Sequence, residues 1–207
     1  SNTTEAGINI DNEDQFTATP AHSFPGKLTQ LLYHRFKTFN GDKSKVLHII
    51  PCELIDKNGT KLKEIILELC EIWKLDNNFI SWIHLNHFYN TLVDRIVPGF
   101  PKKDLNFYKK QLPFADKLIV TCEPFFLWVI EGNPKLLEIF PVDQLNNIDV
   151  KVVPDLGIYR TRKVRILNGS HTALVPVGLL HGTLTVSETL QDDFLKNYLS
   201  QTLSQEI

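Results

Sequence analysis

The stretch from Thr161 to His171 carries the residue types best suited to chemistry: a lysine, an asparagine and a histidine, at Lys163, Asn168 and His171. On an α-helix at roughly 100° per residue they fall at about 0°, 140° and 80°, within one arc. Leu167, Leu174 and Gly178 share that face, so three polar tips would converge beside apolar neighbours. A lysine desolvated by Val164 and Leu167, with Arg162 and Arg165 nearby, would be available as a base near neutral pH. Asn168 and His171 would hydrogen-bond a substrate oxygen on which charge builds. The chemistry so described is proton transfer at a hydroxyl or a carbonyl. By residue type alone the same stretch also reads as a solvated helix face, and His171 as a satisfied core histidine.

The elements around it must hold that helix in place. Residues 24–38 are predicted helical: Ser23 is a good N-cap, Pro25 suits the first turn, and Leu28, Leu31, Leu32 and Phe36 recur at helical spacing. Residues 46–50 form a short apolar run stopped by Pro51, as a buried strand would be, and residues 56–59 form a turn. A second amphipathic helix carries Leu62, Ile65, Ile66, Leu69, Ile72 and Trp73. Residues 79–83 and 117–121 read as further strands. Strands alternating with helices indicate an α/β protein with a parallel sheet. After residue 140, Pro141, Pro154 and Gly157 punctuate an extended, linker-like stretch. Beyond it, residues 159–180 and 187–203 read as helices with no strand between them, which puts a boundary near residue 150.

Bulk properties bound the partners. The chain has 207 residues, 43% of them hydrophobic, enough to bury a substantial core. Its net charge of −2 comes from interspersed signs and offers no basic field for nucleic acid. No apolar run approaches the roughly 20 residues of a membrane span, so neither partner is expected, and the expected location is the cytoplasm. Cys52, Cys70 and Cys122 are odd in number and far apart, which suits neither disulfides nor zinc ligands; reduced, mostly buried thiols and no metal are expected. The chain has no methionine and opens on a polar segment, as an excised piece would.

The run Lys163-Val164-Arg165-Ile166-Leu167-Asn168-Gly169-Ser170-His171 resembles the signature of the polyol-specific long-chain dehydrogenase family, to which mannitol dehydrogenase belongs. Residues 1–8, 23–29, 51–59, 90–98 and 127–132 match members of that family in the same order. The resemblance implies a metal-independent, NAD-dependent hydride transfer with Lys163 as general base and Asn168 and His171 on the reacting oxygen. It implies that Thr4-Glu5 lies at a strand end, that Val93-Asp94-Arg95 lies beside the nicotinamide, and that Thr4, Glu5, Asp94 and Arg95 serve the cofactor. The implied fold is an incomplete Rossmann-like parallel sheet, followed by the first helices of an all-α substrate domain. Residues 1–150 would be the C-terminal part of the NAD-binding domain and 151–207 the start of the helical one.

Two departures point to the substrate. Mannitol-type members have Cys-Asp-Asn where this chain has Cys52-Glu53-Leu54, which removes an asparagine from the oxyanion site. They also tend to carry a glutamate where this chain has Arg160. A cation there suits a carboxylate, so Arg160, Arg162 and Arg165 are the expected substrate-binding residues and a small sugar acid the expected substrate. Interconversion of tagaturonate and altronate fits, with fructuronate or mannitol as the alternatives. The arginines equally read as solvated, or as paired with Asp155 and Glu188. The ten glycines never form the GxGxxG phosphate cradle. The chain is therefore expected to be the middle of a longer enzyme, without turnover or NAD binding alone. A truncated, non-catalytic module that binds a sugar acid or a partner remains open as another class.

Overall fold

A computed structural model describes residues 1–146 and 148–205. The chain divides into two compact units, Ser1–Pro154 and Asp155–Ile207.

The first unit begins with α1 (Phe24–Thr38), capped as its sequence requires: the Ser23 hydroxyl accepts from the Gly26 N–H at 3.0 Å, and Pro25 occupies the first turn. Asp14, 6% exposed, braces that cap by accepting the Ser23 N–H and hydroxyl and the His22 N–H. Next come β1 (His48–Ile49), α2 (Asn58–Ile72), α3 (Asn77–Leu85) and β2 (His87–Phe88). Strands β1 and β2 pair in parallel, His48 opposite His87. The opening residues extend this sheet, because the Ser1 nitrogen donates to Ile50 O at 2.9 Å and the Cys52 N–H donates to Ser1 O at 2.8 Å. That alternation is the parallel ladder pattern. Leu32 of α1, Ile49 of β1, Leu62, Ile66 and Leu69 of α2 and Phe79 and Ile83 of α3 form one core.

The chain continues through β3 (Thr91–Asp94), α4 (Leu105–Gln111), β4 (Leu127–Glu131), α5 (Leu136–Ile139) and β5 (Asp149–Val153). These strands form a second sheet in the order β3-β4-β5, antiparallel in the first pair and parallel in the second. The α/β class holds, but the sheets are small and one pair is antiparallel.

Four local expectations are corrected. Residues 79–83 lie in helix α3, not a strand: Asp76 caps its first turn by accepting the Phe79 N–H at 2.8 Å, and Phe79, Trp82 and Ile83 are buried at helical spacing. Residues 117–121 form no strand, since Leu118 and Val120 are 84% and 59% exposed and a single bridge joins Thr121 to Gly99. The linker-like stretch contains β5, which is exposed at Asp149 and half-buried from residue 150 to 153, without the alternation that would mark a strand. Of the thiols, Cys70 is buried, Cys52 half-buried and Cys122 exposed.

The second unit is helical throughout. It runs α6 (Gly157–Thr161), a π-helical segment (Arg162–Asn168), α7 (Gly169–His181), α8 (Val186–Thr189) and α9 (Asp193–Gln205). Gly182, at φ +93°, ends α7 in the left-handed conformation. The span read as one helix over 187–203 is two, because a Thr185–Glu188 capping box starts α8 and the Asp192 carboxylate caps α9 by accepting the Leu195 N–H. Helix α9 packs on α7, with Leu174 and Leu195 buried and the Tyr198 hydroxyl on Ala173 O at 3.4 Å. None of the described helices is long and apolar enough to cross a membrane.

Candidate active site

Lys163 lies inside the π-helical segment, and this changes the geometry of the three candidate residues. A π-helix bonds i to i+5, one residue more per bond than an α-helix, and the Gly169 N–H donating to Val164 O is such a bond. Asn168 is five residues beyond Lys163. In an uninterrupted α-helix it would stand about 140° away, at 100° per residue. A π turn holds more residues than an α turn, so the angle between the two is smaller than that. Helix α7 resumes at Gly169, and His171 lies in its first turn.

The surroundings are less enclosed than expected. Lys163 is half-buried, but Val164 and Leu167 are 47% and 43% exposed, and Asn168 and His171 are also exposed. Within this unit, His171 lines a small recess with Leu174, Gly178, Thr183 and Thr189. Two hydroxyls secure the exit from the π turn: Ser170 donates to Ile166 O, and Thr172 donates to Asn168 O at 3.0 Å. Arg160 ends α6 half-buried, whereas Arg162 and Arg165 are exposed on the π turn. Of their suggested partners, Glu188 accepts the Leu184 and Thr185 N–H groups, and Asp155 accepts the Gly157 N–H.

In the first unit polar groups gather in two places, where the opening residues meet the segment after β1 and at the end of β3. Thr4 is exposed, and its carbonyl accepts the Gly7 N–H. The backbone of Glu5 opens a short 3-10 turn there, while its side chain lies outside the described residues. Asp94 ends β3 and is half-buried. Arg95 is exposed, with its Nε on Glu123 O at 3.0 Å and its guanidinium 5.4 Å over the Phe126 ring. Thus Asp94 ends β3 with Arg95 following it, and Thr4 precedes the 3-10 turn outside the described strands.

Two further polar residues organise this edge, and residue-type reasoning did not single them out. Glu53, 3% exposed, follows β1 and accepts the Thr3 N–H at 2.8 Å, the Thr3 hydroxyl at 2.9 Å and the Ser1 hydroxyl at 3.1 Å. Burial opposes its charge, but these donors win and hold the carboxyl below its usual range. Asn58, fully buried, donates to Pro51 O and Glu53 O and accepts the Gly59 and Thr91 N–H groups. The Asn58-Gly59 pair after a strand signal is the local hint. A Cβ on Gly59 would collide with the Tyr89 carbonyl, so this close approach needs glycine. Nearby, His48 and His87 stack at 4.6 Å, and His48 Nδ1 pairs with the Tyr89 hydroxyl at 2.7 Å.

Parallel strand ends carrying polar loops, followed by an all-helical unit, define a two-part α/β protein of the dehydrogenase type. The profile described as mannitol dehydrogenase Rossmann domain matches residues 1–139, and that of the mannitol dehydrogenase C-terminal domain matches residues 155–207. The chain belongs to the mannitol dehydrogenase family. It is 48% identical to an altronate oxidoreductase of Bacteroides thetaiotaomicron and 46% to one of Bacillus subtilis, in each case over 100% of this chain and 43% of the relative. The chain thus spans less than half the length of the curated relatives it matches. Among solved structures it resembles a D-sorbitol dehydrogenase, with TM-score 0.72 and 23% identity, over 97% of this chain and 42% of the other. It also resembles the Pseudomonas fluorescens mannitol 2-dehydrogenase solved with NAD and D-mannitol, with TM-score 0.64 and 24% identity, over 99% and 42%. At these identities the two structures speak for the fold.

Proposed function

We propose that this chain supplies the reacting side chains of an NAD-dependent altronate oxidoreductase that interconverts tagaturonate and altronate. The observation that supports the reading is that Lys163 and Asn168 lie in one π turn, with His171 in the helix that continues it. The likeness to altronate oxidoreductases over the whole chain supports the substrate class.

Lys163 works as a proton shuttle. As an amine it takes the hydroxyl proton when altronate is oxidised; as an ammonium it returns that proton to the oxygen when tagaturonate is reduced. Asn168 and His171 donate to the same oxygen and hold the negative charge that builds on it. Arg160, assisted by Arg162 and Arg165, grips the substrate carboxylate, for which a guanidinium offers two parallel donors. The donor set at the strand ends suits a dinucleotide: Thr4 brings a hydroxyl, Asp94 and Glu5 carboxylates, and Arg95 a guanidinium. NAD, when bound, supplies the hydride acceptor or donor.

The test is steady-state kinetics of the complete protein with NADH and tagaturonate, fructuronate or fructose. Tagaturonate should be preferred, and Lys163→Ala should lower kcat by about 10²–10⁴-fold, the usual worth of a positioned acid or base. Undiminished turnover by Lys163→Ala removes the proposed base, and preference for another substrate reassigns the specificity.

A further inference from the structure

The opening residues leave the first sheet at a definite point. Ser1 takes both of its parallel-ladder bonds, donating to Ile50 O at 2.9 Å and accepting the Cys52 N–H at 2.8 Å. Carried one step further, that ladder would bring the Thr3 N–H to the Cys52 carbonyl. The Thr3 N–H goes instead to Oε1 of Glu53 at 2.8 Å, which also accepts the Thr3 hydroxyl at 2.9 Å, while Oε2 accepts the Ser1 hydroxyl at 3.1 Å. A buried carboxylate thus takes the place of a backbone acceptor. Past Thr3 the chain enters the 3-10 turn Glu5–Gly7, closed by the Gly7 N–H on Thr4 O at 2.8 Å. The Thr3 hydroxyl is wedged against that turn, since a Cβ on Gly7 would fall on top of it. Glu53 therefore holds Thr3, and Thr3 packs on the turn that carries Thr4 and Glu5.

We infer that Glu53 is a positioning residue for cofactor binding: its carboxylate turns the chain out of the sheet at Thr3 and so sets the turn that bears Thr4 and Glu5. This rests on the reading of Thr4 and Glu5 as groups that serve a dinucleotide. All three groups that reach Glu53 are donors, so both of its oxygens must accept. A glutamine of the same shape would turn an NH2 towards one of those donors. Without the carboxylate, the Thr3 N–H can take the Cys52 carbonyl, the ladder runs on, and Thr4 passes from a turn into a strand. Lys163, Asn168 and His171 lie in the other unit. The loss therefore falls on cofactor affinity and not on proton transfer.

The experiment titrates NADH by fluorescence into the complete protein and its Glu53→Gln, Thr3→Val and Thr3→Ser variants, with kcat on tagaturonate measured at saturating NADH. Glu53→Gln should raise the Kd for NADH about tenfold or more, the worth of a hydrogen bond to a charged group, with kcat at saturation within about twofold of wild type. Thr3→Val keeps the N–H but loses the hydroxyl, and should raise the Kd by less. Thr3→Ser keeps both donors and should bind NADH as the wild type does. A wild-type Kd in Glu53→Gln overturns the inference. So does a fall in kcat at saturation as large as the loss of affinity, because that marks a general folding role. Where Glu53→Gln fails to fold, the Thr3 pair decides, and equal Kd values in Thr3→Val and Thr3→Ser overturn the inference. A complete wild-type protein that binds no NADH instead defeats the functional reading beneath it, and the inference with it.

Discussion

Asn58 and Thr91 hold each other at two points: the Asn58 Oδ1 accepts the Thr91 N–H at 2.9 Å, and the Asn58 Nδ2 donates to the Thr91 hydroxyl at 3.1 Å. The pair ties the start of α2 to the start of β3. Thr91 in turn donates its hydroxyl to Pro51 O, just past β1. One buried side chain thereby fastens the Pro51–Glu53 segment after β1 to the start of β3.

Replacing Asn58 with alanine leaves the buried Thr91 and Gly59 N–H groups without their acceptor, while the Pro51 and Glu53 carbonyls keep the Thr91 hydroxyl and the Ile55 N–H. Each such group costs about 1–3 kcal/mol, so a loss of about 3 kcal/mol or more is expected in urea unfolding. A loss below about 1 kcal/mol would mean that water reaches the network.

Gly59 and Gly99 should respond to alanine for different reasons. At Gly59 the added Cβ runs into the Tyr89 backbone, which cannot step aside as a side chain could. A cost of about 2–3 kcal/mol follows from overpacking. At Gly99 the Cβ meets nothing, but φ is +87°, so only conformational strain of about 1 kcal/mol applies. Gly99→Asn should therefore be tolerated while Gly59→Asn is not, read as thermal midpoints.

Acid should destabilise the first unit in two steps. Burial and the neighbouring His87 press the His48 pKa below its ordinary 6.5, so between that value and the folded one the unfolded chain binds more protons. Stability from this group is lost as pH falls through that window. Glu53, held below its ordinary 4.5, contributes stability that persists above 4.5 and disappears as pH falls towards the folded value. Melting curves from about pH 2 to 8 should show both declines; His48→Gln should remove the upper one and Glu53→Gln the lower. A flat profile would contradict both.

The three thiols should label in order of exposure. Cys122 is exposed and should react first with a thiol reagent. Cys52 is half-buried, and burial raises its pKa, so it should react more slowly. Cys70 is fully buried, its pKa pushed up to about 12, and should react only on unfolding. Cys122→Ser should abolish the fast phase.

Arg160→Ala should raise the KM for tagaturonate by tenfold or more, about 1.4 kcal/mol for each factor of ten. Arg160→Lys should recover little, because an ammonium cannot match the two-pronged carboxylate geometry. An unchanged KM in both variants would remove Arg160 from substrate binding.

Local sequence determined α1 to the residue, because a capping serine, a first-turn proline and apolar repeats act within a few positions of one another, whereas α2 begins at Asn58, inside the stretch read as a turn. It also offered the residue types of the candidate site: Lys163 as a candidate base and Asn168 and His171 as candidate hydrogen-bond donors can be picked out before any fold is known, though the same types also suit a solvated helix face. Short apolar runs were ambiguous. Residues 79–83 could serve a strand or a buried helix, and only packing of Phe79, Trp82 and Ile83 into the shared core chose the helix. Strands β3, β4 and β5 depend on partners far along the chain, so their pairing is a property of the assembled sheet. The π turn is the clearest case of all. Nothing in the types of residues 162–168 asks for i to i+5 bonding, because helix register is decided by how successive turns close and not by the propensity of any one residue.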